Sequence, residues 1–170
     1  MRAGLLLWSS LQIFSCQTKT PPAIHLIPAG YVGPVVILYD DEVGEPLALE
    51  GNARVFRIGN DGTLVAKAKI DGRVRDLGAF SWFFVDRNGK RHPIPALRDN
   101  ATDDIQIFEF ESGGSGCPPR ICTTPAQVGW DAYLVGKPKD RSELLDRLRV
   151  AVNAAVERHF AKKMQGGQAK

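Results

Sequence analysis

The chain is short of the residues from which most catalytic and metal sites are built: it carries three cysteines, three histidines and two methionines in 170 residues. His25, His92 and His159 stand far apart with no ligand spacing, and no G-x-S-x-G, Walker A or H-E-x-x-H motif occurs. Gly113-Gly114-Ser115-Gly116 reads as a flexible loop and lacks the lysine that would follow in a phosphate-binding loop. Net charge is also small, +3 from 22 basic and 19 acidic residues, with no basic stripe, which excludes a nucleic-acid partner. No apolar run reaches the roughly twenty residues needed to cross a bilayer. The residues therefore name no catalytic group, no metal ligands and no cofactor.

What is present is an ordinary core-forming composition, 44% hydrophobic and 24% charged, enough for one domain. Residues 1–15, MRAGLLLWSSLQIFS, place Arg2 before a short apolar run, the scale of a signal peptide. The run ends in Ile13-Phe14-Ser15-Cys16, which resembles a bacterial lipobox: an aliphatic residue three before the cysteine, a small one just before it, and a bulky departure at Phe14. Gln17-Thr18-Lys19-Thr20-Pro21-Pro22 then reads as a tether, giving an anchor and tether over 16–23 and one domain over 24–165. The expectation is lipidation of Cys16, with membrane lipid as the partner through palmitate-type acyl chains. An envelope protein is the further partner allowed. Gln17 stands where lipoproteins held at an inner membrane often carry Asp, which favours the outer membrane, facing the periplasm, in a cell with two membranes.

Beyond the tether, apolar runs alternate with turn residues. Pro34 to Tyr39 is β-branched and apolar on both faces, as in a strand covered on both sides. Arg54 to Ile58 and Thr63 to Val65, separated by Asn60-Asp61-Gly62, read as a hairpin. Asp71-Gly72 marks another turn. Phe80 to Val85 is an aromatic strand, Asn88-Gly89 a hairpin turn, and Lys90 to Ile94 a return strand that Pro93 and Pro95 confine to an edge. Asp99 to Asp104 lacks the spaced ligands and central glycine of a calcium loop and reads as a solvated turn. Ile105 to Phe110 and Trp130 to Val135 are further strands, the latter with Trp130, Ala132 and Leu134 on one face.

The stretch from Ile27 to Leu64 resembles a family of uncharacterised bacterial lipoproteins with the pattern I-P-x-G-Y-x-G-x-V-x-I-x-Y-D, then R-x-F-x-I-x-x-D-G-x-L. Here these are Ile27, Pro28, Gly30, Tyr31, Gly33, Val35, Ile37, Tyr39 and Asp40, then Arg54, Phe56, Ile58, Asp61, Gly62 and Leu64. Tyr133-Leu134-Val135-Gly136 is a weaker echo, and Gly59 stands where the pattern carries proline. The resemblance implies a domain of unknown function whose pattern residues are structural types.

Cys117-Pro118-Pro119-Arg120-Ile121-Cys122 has no second cysteine pair to complete a zinc site and is not C-x-x-C. With one cysteine lipidated, the other two are expected to pair, and closing so short a loop contributes about 2 kcal/mol. The period then changes. Leu144, Leu148, Val152 and Val156 form a helical stripe over 140–163, with Asp140 as N-cap, Glu143 completing a capping box, and residues 166–170 as a frayed tail. The expectation is a mainly β chain: an antiparallel β-sandwich with hairpin connections and one C-terminal α-helix. Its role is expected to be that of an uncharacterised envelope lipoprotein acting as a non-catalytic binding or structural module. The alternative is an envelope hydrolase or other enzyme with a site assembled from loops.

Overall fold

The computed structural model describes residues 21–69, 77–96, 103–122 and 126–167. The described strands are β1 (Ala23–Pro28), β2 (Gly33–Tyr39), β3 (Ala48–Glu50), β4 (Ala53–Arg57), β5 (Thr63–Ala66), β6 (Phe80–Val85), β7 (Arg91–Ile94), β8 (Gln106–Gly116) and β9 (Gln127–Gly136). A 3-10 turn, Pro138–Asp140, leads into helix α1 (Arg141–Gly167). The fold is thus mainly β, in two sheets with one C-terminal helix. One sheet has the order β3-β4-β1-β6-β7 and the other β5-β2-β9-β8. Single bridges, Glu45 with Ala66 and Ala96 with Ile107, tie segments flanking β3 and β7 to the second sheet.

The pattern of apolar residues explains the layers. In β2, Val35, Ile37 and Tyr39 point into the core between the sheets, where they meet Ile27, Phe56 and Trp82. Val36 and Leu38 point the other way, into a second core with Leu144, Leu148, Val152 and Val156 of α1. A strand with two apolar faces therefore lies in the middle layer, as its sequence requires. Ala132 and Leu134 of β9 share the helix-facing core with half-buried Trp130, while Tyr133 and Val135 face the other sheet. The Asn88-Gly89 turn joins β6 to β7 as a hairpin, and Pro93 sits on an edge strand where it breaks no second ladder.

Pairing within the sheets is mixed. β1 runs parallel to both β4 and β6, and β2 runs parallel to β5. The expected hairpin of Arg54–Ile58 with Thr63–Val65 does not form, because β4 and β5 belong to different sheets and the turn between them carries the chain across the sandwich. Gly62 makes that crossing possible. Its φ is +78°, and a Cβ there would stand 2.5 Å from the Pro34 carbonyl oxygen and closer still to the Tyr31 hydroxyl. At Gly59, the departure from the family pattern, the backbone N–H donates to the Thr63 carbonyl at 3.0 Å, a bond that proline could not make.

Two further expectations are corrected. Gly113 to Gly116 is strand, paired with β9 as far as Gly116 opposite Gln127. Backbone pairing needs no side chain there, and the Trp130 ring fills the space over Gly113, where a Cβ would meet it at 2.6 Å. Asp140 lies inside the 3-10 turn, so the helical run opens earlier, at extended Lys137, and α1 runs on to Gly167 rather than fraying at Gly166. The turn expected at Asp71-Gly72 and Asp99 to Thr102 of the acidic loop lie outside the described residues.

The path of the chain gives the sandwich two distinct ends. β1 starts at Ala23, and β2 returns in the facing sheet, so that Tyr39 reaches Phe56, the partner of His25. Gly129, near the start of β9, pairs with Tyr39, and the last turns of α1 come back to Asp40. The start of β1, the end of β2, the Cys117–Cys122 loop and the end of α1 thus gather at one end.

Candidate functional site

At that end β2 stops in Asp40, whose carboxylate organises its surroundings. One oxygen, Oδ1, accepts the backbone N–H groups of Glu42 at 2.8 Å and Val43 at 3.2 Å, closing the turn after the strand. The other, Oδ2, accepts from His159 Nε2 at 3.0 Å and Lys163 Nζ at 2.9 Å. A carboxylate only accepts, so Nε2 is the protonated ring nitrogen in this contact. His159 and Lys163 are four residues apart, on one face of α1, so one anion holds two successive turns of the helix. Lys163 also reaches Glu42 at 2.7 Å.

Burial pushes the Asp40 carboxyl up, but the Lys163 hydrogen bond and the two backbone N–H groups outweigh it and lower its pKa from 3.8 to about 2. Lys163 is raised, first by its bond to Glu42. The cluster borders a groove of about 940 Å³ between the loop after β2, strand β5 and the end of α1. Glu42 and Glu45 supply negative charge to it, His159, Lys162 and Lys163 line it from the helix, and Val43, Leu64 and Met164 add apolar surface. Such a groove can hold a ligand with both charged and apolar parts.

A second polar cluster lies inside the sandwich. His25, buried and stacked on Phe56 with ring centroids 4.9 Å apart, shares a hydrogen bond of 3.0 Å with the Tyr133 hydroxyl. Tyr39 donates to Asp131 Oδ2 at 2.5 Å and Ser112 to Asp131 Oδ1 at 2.7 Å. Burial raises the Tyr133 phenol well above its ordinary value, which keeps it neutral and able to bridge the two sheets. This cluster ties the layers together.

The residues singled out in the sequence are dispersed. Cys16 lies outside the described residues. Cys117 and Cys122 have their Sγ atoms 2.01 Å apart and their Cα atoms 5.9 Å apart, the spacing of a bonded pair. Their loop is held by Cys117 N–H on the Ala126 carbonyl and by two N–H groups on the Pro118 carbonyl. His92 sits at the surface, 3.6 Å from Asp86. Ser115 accepts the Trp130 indole N–H at 3.0 Å. Sequence reasoning missed Asp40, Lys163 and Asp131 as centres of polar clusters. The signal available was the acid closing a doubly apolar strand together with the His-x-x-x-Lys spacing late in α1. Among the described residues no group of three or more His, Cys, Asp or Glu is placed to hold a metal, and no helix is long and apolar enough to cross a membrane.

A family model of unknown function matches residues 19–116, more than half of the chain and all of β1 to β8. The chain belongs to the family of unknown function DUF6843. The DUF6843 match includes the Ile27–Leu64 stretch, Asp40 and the groove wall of β5, while Asp131, Tyr133 and the helix residues that clasp Asp40 lie beyond it. No curated protein matches the chain. The chain is similar to a crystal structure of a "Putative Lipoprotein from Bacillus anthracis", with 22% identity over 70% of this chain and 72% of that one, at a TM-score of 0.48.

Proposed function

We propose that this DUF6843 chain is an envelope lipoprotein, anchored through acylated Cys16, whose β-rich domain serves as a non-catalytic binding or structural module. The observation that carries the reading is the order of segments: a short apolar run after Arg2, Ile-Phe-Ser-Cys where the run stops, and a Thr/Pro tether reaching β1 at Ala23. Two acyl chains with an N-acyl group hold stably where one would not, at about 0.8 kcal/mol per buried CH₂. Export would also place Cys117 and Cys122 in an oxidising compartment, where a bonded pair persists.

The polar side chains support a module rather than a reaction centre. His25 and Tyr133 bond to each other between the sheets, and Asp40 is engaged by the helix and the turn it closes. The groove beside Asp40 is the place for a ligand. In a cell with two membranes, Gln17 favours the outer one, facing the periplasm.

The test is phase partition of the protein made in a bacterial host. Wild type should enter the detergent phase, and Cys16→Ala should accumulate as an uncleaved precursor without lipid. A Cys16→Ala protein processed and partitioned like wild type contradicts the anchor.

A further inference from the structure

Five large apolar side chains are exposed among the described residues: Val32, Val43, Leu49, Val150 and Met164. Three of them stand at the end of the sandwich where β1 begins. Leu49 pairs with Arg54, which pairs with Ala23. Val43 donates its N–H to Asp40 at the end of β2, and Met164 follows the Lys163 that Asp40 holds. They are 56%, 67% and 38% exposed for Val43, Leu49 and Met164.

Only residues 17–22 separate Cys16 from Ala23. At the maximal rise of an extended chain, those seven steps span no more than about 25 Å. An acylated Cys16 therefore holds the end where β1 begins within about 25 Å of the bilayer, nearer along the chain than the end where β1 finishes. Val43 and Met164 border one groove with Leu64, rimmed by charged residues, and Leu49 stands on the edge strand at the same end; an exposed apolar surface rimmed by polar residues marks an interaction site.

We propose that this end rests on the lipid surface that holds the anchor, with Val43, Leu49 and Met164 as its apolar contacts. The inference rests on the lipoprotein reading above. Contact is apolar rather than electrostatic, because the groove between Val43 and Met164 carries acids and lysines in balance, Glu42 and Glu45 against Lys162 and Lys163, while Lys69 pairs with Asp41 and Arg120 with Glu157. Lipid of either headgroup charge fits this surface.

The experiment uses the full acylated chain in phosphatidylcholine vesicles with brominated acyl chains, alone or mixed with phosphatidylglycerol. Val43→Trp, Leu49→Trp and Met164→Trp each add one reporter at the proposed contact. Val32→Trp, at the far end, and Val150→Trp, on the outer face of α1, are the controls, and the signal of unsubstituted protein is subtracted. Brominated lipid should quench the first three reporters about two-fold or more and leave the controls little changed, equally in both vesicles and at low and high salt. Equal quenching of the two sets, or none in either, with acylated chain floating on the vesicles, overturns the membrane contact while leaving the anchor intact. That end would then be free for an envelope protein. If mass spectrometry finds no acyl group and the chain does not float, the lipoprotein reading fails and this inference falls with it.

Discussion

Replacing Asp40 by asparagine removes one charge at the point where α1 is clasped to β2, and its cost follows from the geometry. The amide oxygen still accepts the Glu42 and Val43 N–H groups, so the turn is kept and the loss falls on His159 and Lys163. In the folded state the Asp40 pKa is about 2 against an ordinary 3.8. At 1.36 kcal/mol per pK unit, the ionised carboxylate contributes about 2.5 kcal/mol at neutral pH. Breaking one side of a buried pair typically costs about 3–5 kcal/mol, but Lys163 keeps Glu42, which places the loss near the lower figure. For a domain of this size that lowers the Tm by about 5–10 °C.

The pH dependence supplies the check. The folded pKa lies below the unfolded one, so the unfolded chain takes up the proton first and stability rises with pH across this range. The contribution is fully present above about pH 5 and is lost as pH falls through about 2. Urea unfolding of wild type and Asp40→Asn should therefore differ by about 2–3 kcal/mol at pH 7 and converge towards pH 2. A difference that stays constant from pH 7 to pH 2.5 would refute the role given to this charge.

Leu148→Ala opens a hole between α1 and the second sheet and should cost about 2–5 kcal/mol in thermal unfolding, whereas exposed Arg149→Ala should stay within about 0.5 kcal/mol. Gly62→Ala drives a Cβ against the Pro34 carbonyl at a φ of +78° and should cost about 2–4 kcal/mol by denaturant titration. Cys117 and Cys122 should resist thiol reagents in protein taken from the envelope and become reactive on reduction. Free thiols with stoichiometric zinc would overturn the pairing.

The legible parts of the fold were those set by local pattern. The doubly apolar run of β2, the Asn88-Gly89 hairpin and the leucine-valine stripe of α1 each carry their own period or turn chemistry. What escaped was set by distant pairing. The run Ala23 to Ile27 is apolar but for His25 and bounded by prolines, yet nothing local says that it will become the parallel centre of a five-stranded sheet. Asp61-Gly62 looks the same in a hairpin as in a crossing between sheets, and the difference lies in distant pairing, with the Val36 N–H on the Gly62 carbonyl and β5 beside β2. The site was less legible still. Asp40 and the His159/Lys163 pair are 119 and 123 residues apart, and Asp131 looks like a surface acid until Tyr39 and Ser112 close on it.

Whether Cys16 carries the anchor is read from the mass of the intact chain purified from the bacterial envelope. The mature protein should begin at Cys16 and be heavier than its sequence by a diacylglyceryl group and an N-acyl chain. A mature N-terminus at any other residue, or an unmodified Cys16, contradicts it.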